Sequence, residues 1–141
     1  EAKVEVNDRL SLIGAYSYMD TEVVRGVVRG TAVDGNEFTT APNHIASVWA
    51  NYTLPEAVPT GDVTLGLGLR YVGSYYFDVL NTRESEEALL VDASVAVDLD
   101  DTAALEFSVS NLLDEQHVVG SGTADYYNPG REIGLNLRKS W

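Results

Sequence analysis

The residues best suited to covalent chemistry here are His44 and His117, the only two imidazoles, together with the serines and aspartates around them. No Gly-x-Ser-x-Gly nucleophile elbow lies near either histidine. With no cysteine in the chain, thiolate metal sites are excluded, and two separated histidines suggest no metal centre. Gly66-Leu67-Gly68 lacks the third glycine of a dinucleotide fingerprint and sits in a strand pattern instead of opening a helix. The acidic stretch Glu84, Glu86, Glu87 and the trio Asp98, Asp100, Asp101 lack the glycine and distal glutamate of a calcium loop, so they read as solvated charge. Asn51-Tyr52-Thr53 matches a glycosylation acceptor by letter but falls inside a strand pattern. Catalysis is therefore not expected, and no cofactor is implied.

Recognition chemistry has better candidates. Tyr75 with Tyr76, and Tyr126 with Tyr127, are adjacent aromatic pairs in or beside long polar segments. Such rings offer flat contact area at low entropic cost. Arg131 is expected to open the last strand on the same face as Gly134 and to offer a charge-assisted donor to an anionic group. Tyr126 and Tyr127 rank first, because the segment that holds them is long and rich in glycine.

The elements that must position these residues are strands. The 141-residue chain is 45% hydrophobic and carries 9 basic against 22 acidic side chains, a net charge of −13. That length is one domain's worth at most. So acidic a chain, with scattered basic residues, repels phosphate backbones, and a nucleic-acid partner is excluded on that ground. From 62 to 76, Val63, Leu65, Leu67, Leu69 and Tyr71 alternate with Thr64, Gly66, Gly68 and Arg70. A period of two places these sets on opposite faces of a strand. Similar alternation marks 10 to 19, 89 to 99, 104 to 113 and the run from Glu132 to Trp141. The segment 42 to 54 is less regular, because Val48 and Trp49 fall on opposite faces, and Glu1 to Val6 reads as one more strand. Pro42, Pro55, Pro59 and Pro129 stand at the edges of these runs.

Connection lengths alternate as strictly as the side chains do. Those at 7 to 9, 55 to 61 and 100 to 103 are short; those at 20 to 41, 77 to 88 and 114 to 129 are long. A transmembrane β-barrel explains this asymmetry, with tight periplasmic turns at one rim and long extracellular loops at the other. Tyr16, Tyr18, Tyr71, Tyr75 and Tyr76 then lie toward the outer ends, and Tyr52, Phe107 and Trp141 toward the inner ends, as two aromatic girdles. Gly66, Gly68 and Gly134 become lumen-side positions that another backbone can approach closely. The fold class is all-β, an antiparallel transmembrane barrel segment of about seven meandering strands. Seven such strands leave the first and last running the same way, so they cannot close as an antiparallel pair. A soluble β-sandwich binding module, or a small non-transporting outer-membrane barrel, shares the alternation.

Tyr71-Val72-Gly73-Ser74, Asn111-Leu112-Leu113-Asp114-Glu115 and Pro129-Gly130-Arg131-Glu132, followed by alternation to Trp141, are a recognisable set. With Tyr16-Ser17-Tyr18-Met19-Asp20 and Ala41-Pro42-Asn43-His44 leading into Trp49 and Tyr52, they resemble the C-terminal stretch of TonB-dependent outer-membrane receptors, siderophore branch. Leu113 and His117 depart from that pattern, where the family often has Phe and Tyr. The resemblance implies a plugged barrel of roughly 22 strands, of which residues 1–141 are the C-terminal portion, with the plug and earlier strands elsewhere. It implies uptake of a ferric siderophore or similar chelate across the outer membrane of a Gram-negative bacterium, energised through the TonB complex. Outer-membrane lipid, lipopolysaccharide and the barrel-assembly machinery are the further implied partners, with Trp141 as the assembly signal.

Overall fold

A computed structural model describes residues 1–58 and 61–140. Trp141 and residues 59 and 60 lie outside the described residues. Seven strands form one antiparallel sheet: β1 (Ala2–Asn7), β2 (Leu10–Tyr18), β5 (His44–Val58), β6 (Gly61–Val72), β7 (Ala88–Asp100), β8 (Ala103–Ser110) and β11 (Glu132–Lys139). Each neighbours the next in chain order, the meander expected from the sequence. Two small hairpins, β3 (Val27–Val28) with β4 (Thr31–Ala32) and β9 (Val118–Ser121) with β10 (Asp125–Tyr127), interrupt long connections. Side-chain acceptors hold the tight turns. Asn7 Oδ1 accepts the Arg9 and Leu10 amides, and Asp100 Oδ1 accepts the Thr102 amide and hydroxyl.

The register separates an apolar row from a small and polar one at mid-sheet. Val4, Leu12, Ala50, Leu67, Ala93, Val109 and Ile133 form one continuous cross-strand row. The adjacent row on the other face is Glu5, Ser11, Asn51, Gly66, Ser94, Ser108 and Gly134. Leu67 is 51% exposed, while Gly66 and Gly68 on either side of it are buried. A large apolar band open to its surroundings, beside a small and polar opposite face, is the lipid-side and lumen-side division of a membrane barrel.

Trp49 lies on the lumen-side face, directly across the ladder from Gly68. Its indole occupies the space the two glycines leave: a Cβ on Gly66 would stand 2.7 Å from Trp49 Cζ2, and one on Gly68 would overlap Cε3 and Cζ3. The ring's Nε1–H donates to Asn51 Oδ1 at 2.8 Å, on the same face. This corrects the expectation for the glycines. What approaches them is a side chain of the neighbouring strand, and at Gly134 the nearest atom is Ser108 Oγ. Gly68→Ala should therefore cost about 1–3 kcal/mol through overpacking. The penalty should vanish in a Trp49→Ala background, as a double-mutant cycle on urea unfolding would read.

Two element boundaries differ from expectation. β5 continues through Pro55 to Val58, and the ladder register shifts between Leu54 and Val58. An irregularity of this kind is where a sheet tolerates the missing proline donor. β6 stops at Val72 instead of reaching Tyr76: the Gly73 amide still donates to the His44 carbonyl at 2.8 Å, in register with β5, but the Tyr75 amide turns to Ser85 Oγ at 2.9 Å. The most buried large apolar side chains, Val33, Tyr75 and Leu90, lie in the long connections or at the sheet end that bears them. A single sheet has no second layer to bury its face against, so the packed core of this chain sits among its loops.

Candidate functional site

Three connections, 19–43, 73–87 and 111–131, emerge from the same end of the sheet and are fastened to one another. Between the first two, Asn81 exchanges hydrogen bonds with the Glu37 backbone, donating to its carbonyl at 3.1 Å and accepting from its amide at 2.7 Å. Asn36 Nδ2 donates to the Val79 carbonyl, and the Thr40 amide to the Tyr76 carbonyl. Within the second connection, Asp78 accepts the amides of Leu80, Thr82 and Arg83 and the Thr82 hydroxyl. Desolvation raises the Asp78 carboxyl, but those hydrogen bonds outweigh it and hold it below the usual carboxylate range.

Between the second and third connections, the Tyr75 hydroxyl donates to the Val119 carbonyl at 3.1 Å and Arg83 pairs with Asp125 at 3.0 Å. The Ser121 hydroxyl, and then Arg83, keep the Asp125 carboxyl low.

The expected contact residues fall into two groups. Tyr126 and Tyr127 stand on β10 and are 65% and 59% exposed, available to a molecule arriving from the loop side. Successive positions of a strand face opposite ways, so the two rings serve different surfaces: Tyr126 lies over Gly120, and Tyr127 borders a cavity. Tyr75 is buried, edge-on to Phe77 at 5.4 Å, and burial raises its hydroxyl pKa. It serves as the bolt between two loops, and the position of Tyr75 and Tyr76 beyond the end of β6 removes both from a strand-borne girdle. Tyr76 bridges Thr39 and Glu84 through its backbone. Arg131 precedes β11 and has the parity of Ile133, not of Gly134, which corrects the facing expected for it. Its amide donates to Asp114 Oδ1 at 2.8 Å, and its half-exposed guanidinium lies 3.8 Å from Asp114 Oδ2.

Asn111 is a residue whose role sequence reasoning missed. It is 3% exposed, with φ +52. Its Nδ2 donates to the carbonyls of Glu115 and Pro129, and its Oδ1 accepts the Glu115 amide, so one side chain holds both ends of the third connection. Its own amide donates to Asp92 Oδ1, and Asp92 also receives Arg70 from the adjacent strand through two hydrogen bonds of 2.8 and 3.2 Å. The signal was an asparagine at the end of an alternating run, a type that tolerates positive φ and bonds its own backbone.

Two cavities flank the third connection. An outer one of about 340 Å³ lies between it and the second connection, bordered by Phe77, Arg83, Glu86, His117 and Tyr127. One of about 370 Å³ lies beneath, against the lumen-side ends of the sheet strands, and includes Arg70, Asn111, His117 and Glu132. His117 borders both. His44, the other imidazole, sits on the opposite face, its Nδ1 2.8 Å from the Tyr16 hydroxyl and its ring 5.1 Å from Tyr18. Among the described residues, no group of three or more His, Asp or Glu is arranged to hold a metal.

Comparison with known proteins agrees with this architecture. Residues 1–112 match the family model described as TonB dependent receptor-like, beta-barrel. The chain is 33% identical over 141 residues to the ferrioxamine receptor of Yersinia enterocolitica, covering 94% of this chain and 18% of that protein. It is 34% identical over 122 residues to the ferrichrome outer membrane transporter/phage receptor of Escherichia coli K12, covering 84% of this chain and 16% of that one. In structure it superposes on the siderophore receptor PiuA of Acinetobacter baumannii with a TM-score of 0.78 at 22% identity, over 97% of this chain and 20% of that one. The chain thus spans a fifth or less of the length of these proteins. A meander of seven strands with one apolar face, loops gathered at a single end, and a family match over most of its length make this chain a member of the TonB-dependent receptor β-barrel family.

Proposed function

We propose that this segment is the C-terminal part of the wall of an outer-membrane receptor that takes up a ferric siderophore or a similar chelate, energised through TonB. The observation that carries the reading is the one-ended cluster of interlocked loops, exposing Tyr126 and Tyr127 above a sheet whose lumen-side face is small and polar. A transport wall needs that division: apolar outward, smooth and polar inward, recognition at the outer mouth. The names of relatives at 33% and 34% identity, a ferrioxamine receptor and a ferrichrome transporter, support the choice of cargo. The barrel guides and the ligand leaves chemically unchanged, so the protein is not an enzyme.

In this reading residues 1–141 follow a plug domain and earlier strands in the full protein. The apolar band meets the lipid and lipopolysaccharide of a Gram-negative outer membrane, and Trp141 ends the run that the barrel-assembly machinery engages. The direct test is equilibrium binding of ferrioxamine B and ferrichrome to the full-length receptor and to its Tyr126→Ala/Tyr127→Ala variant. Loss of two large exposed rings from a contact surface should weaken binding by about 10-fold or more. An unaltered dissociation constant in a variant that still assembles would return both tyrosines to loop structure.

A further inference from the structure

The inner cavity, of about 370 Å³, has the size and the composition of a small-molecule site, mostly apolar with a few placed polar groups. Val72, Leu90, Val119 and Pro129 supply apolar walls, and Arg70 brings a guanidinium to them from the lumen-side face of β6. That guanidinium is fixed in direction. Its Nε and Nη2 donate to the two Asp92 oxygens at 2.8 and 3.2 Å, and the Asp92 side chain, 15% exposed, is itself held by the Asn111 amide at 2.8 Å. A planar guanidinium carries a second fork, the N–H pair on Nη1 and Nη2 that points away from such a side-on partner. Among the described residues nothing accepts from that outer fork, and the Arg70 side chain is 50% exposed.

The side-chain amide donors at the cavity are already spent. Asn111 Nδ2 serves the Glu115 and Pro129 carbonyls, and Asn128 Nδ2 serves the same two. A molecule entering here therefore meets apolar walls and one prepared donor fork, which calls for oxygen acceptors. Charge decides which oxygens. Asp92 already balances Arg70, and the exposed Glu132 bordering the cavity forms no ion pair among the described residues, so a carboxylate arm enters against the local field and a carbonyl does not. We infer that the inner cavity seats an uncharged, oxygen-rich face of the chelate, of the hydroxamate or amide carbonyl kind, with the outer fork of Arg70 as its donor. The inference rests on the receptor reading and adds to it a second contact, beneath the loops, on the lumen side of the wall.

The test uses the full-length receptor and one linear iron trihydroxamate whose terminal amine is either N-acetylated, which leaves the chelate neutral, or N-succinylated, which adds a carboxylate. Arg70→Lys keeps a cation beside Asp92 but has no second fork. It should weaken binding of the acetylated chelate by about 10-fold, the effect of one charge-assisted contact, while amide exchange across 111–131 stays unchanged. Val119→Trp, which narrows the cavity from β9 and leaves Arg70 and Asp92 as they are, should weaken binding likewise and serves if Arg70→Lys fails to assemble. An unaltered dissociation constant in either assembled variant overturns the seat alone. Weaker binding accompanied by faster exchange in Arg70→Lys overturns the contact and leaves Arg70 only holding the loop through Asp92. Tighter binding of the succinylated form by wild type overturns the uncharged class. Failure of wild type to bind either form overturns the receptor reading and the seat with it.

Discussion

Arginine at Leu67 should destabilise the assembled barrel by about 2–4 kcal/mol, the cost of a cation on the lipid side near the bilayer midplane. Leu67 is at the middle of β6, in a cross-strand row that is apolar from Val4 to Ile133. No acidic residue in that row can neutralise the new charge, and the band is wide enough that a long side chain must bend far to reach a headgroup. The matched control is Asn136→Arg, which lies on the other face beside Glu106 across the ladder and should change stability by less than about 0.5 kcal/mol. Urea titration of heat-modifiable mobility in lipid vesicles reads both variants. Equal tolerance of the two arginines would mean that the apolar band does not face lipid.

Removal of the Asn111 side chain should have the next largest effect. Asn111→Ala leaves the Glu115 amide without its acceptor and deprives the Glu115 and Pro129 carbonyls of a donor, in a site that is almost completely buried. Each buried polar group left unpaired costs about 1–3 kcal/mol, and alanine at φ +52 adds strain. The Glu115 and Pro129 carbonyls both retain Asn128 Nδ2 as a donor, so the Glu115 amide is the group left unpaired, and with the backbone strain the total is about 2–4 kcal/mol. The loss is local, because the ladder of β8 with β11 does not depend on this side chain. Amide exchange should accelerate across 111–131 while β6 and β7 keep their protection. Asn111→Gly separates the causes: it relieves the backbone strain and still lacks the hydrogen bonds, so it should recover only the smaller part. Unchanged exchange in the loop would show that β9, β10 and the Tyr75 bolt hold the third connection by themselves.

Which parts of this molecule can be read in one dimension follows from the range of the forces involved. Alternation is a property of a strand and its two environments, so Val63 to Tyr71 displayed their facing without knowledge of any partner. The connections were legible for the same reason, since turn residues such as Asn7 and Asp100 act on neighbours two or three positions away. Trp49 was not legible. Val48 and Trp49 are both apolar, and the choice between them was made by Gly66 and Gly68 on the next strand, where the missing side chains leave room for an indole.

The loop site shows the same division more sharply. By itself the amino-acid sequence determined an antiparallel meander of seven strands, the gathering of long connections at one end, and the candidacy of Tyr126 and Tyr127, all consequences of local periodicity and spacing. Tertiary structure alone decided that Tyr75 is a buried bolt, that Asn111 joins Glu115 to Pro129 across the 13 positions between them, and that His117 stands between two cavities. Those outcomes depend on three loops, distant in sequence, meeting where a single sheet supplies no second layer to pack against. Loop closure over such separations is uphill in entropy until side-chain contacts form, and the partners that offset it cannot be paired from spacing along one chain.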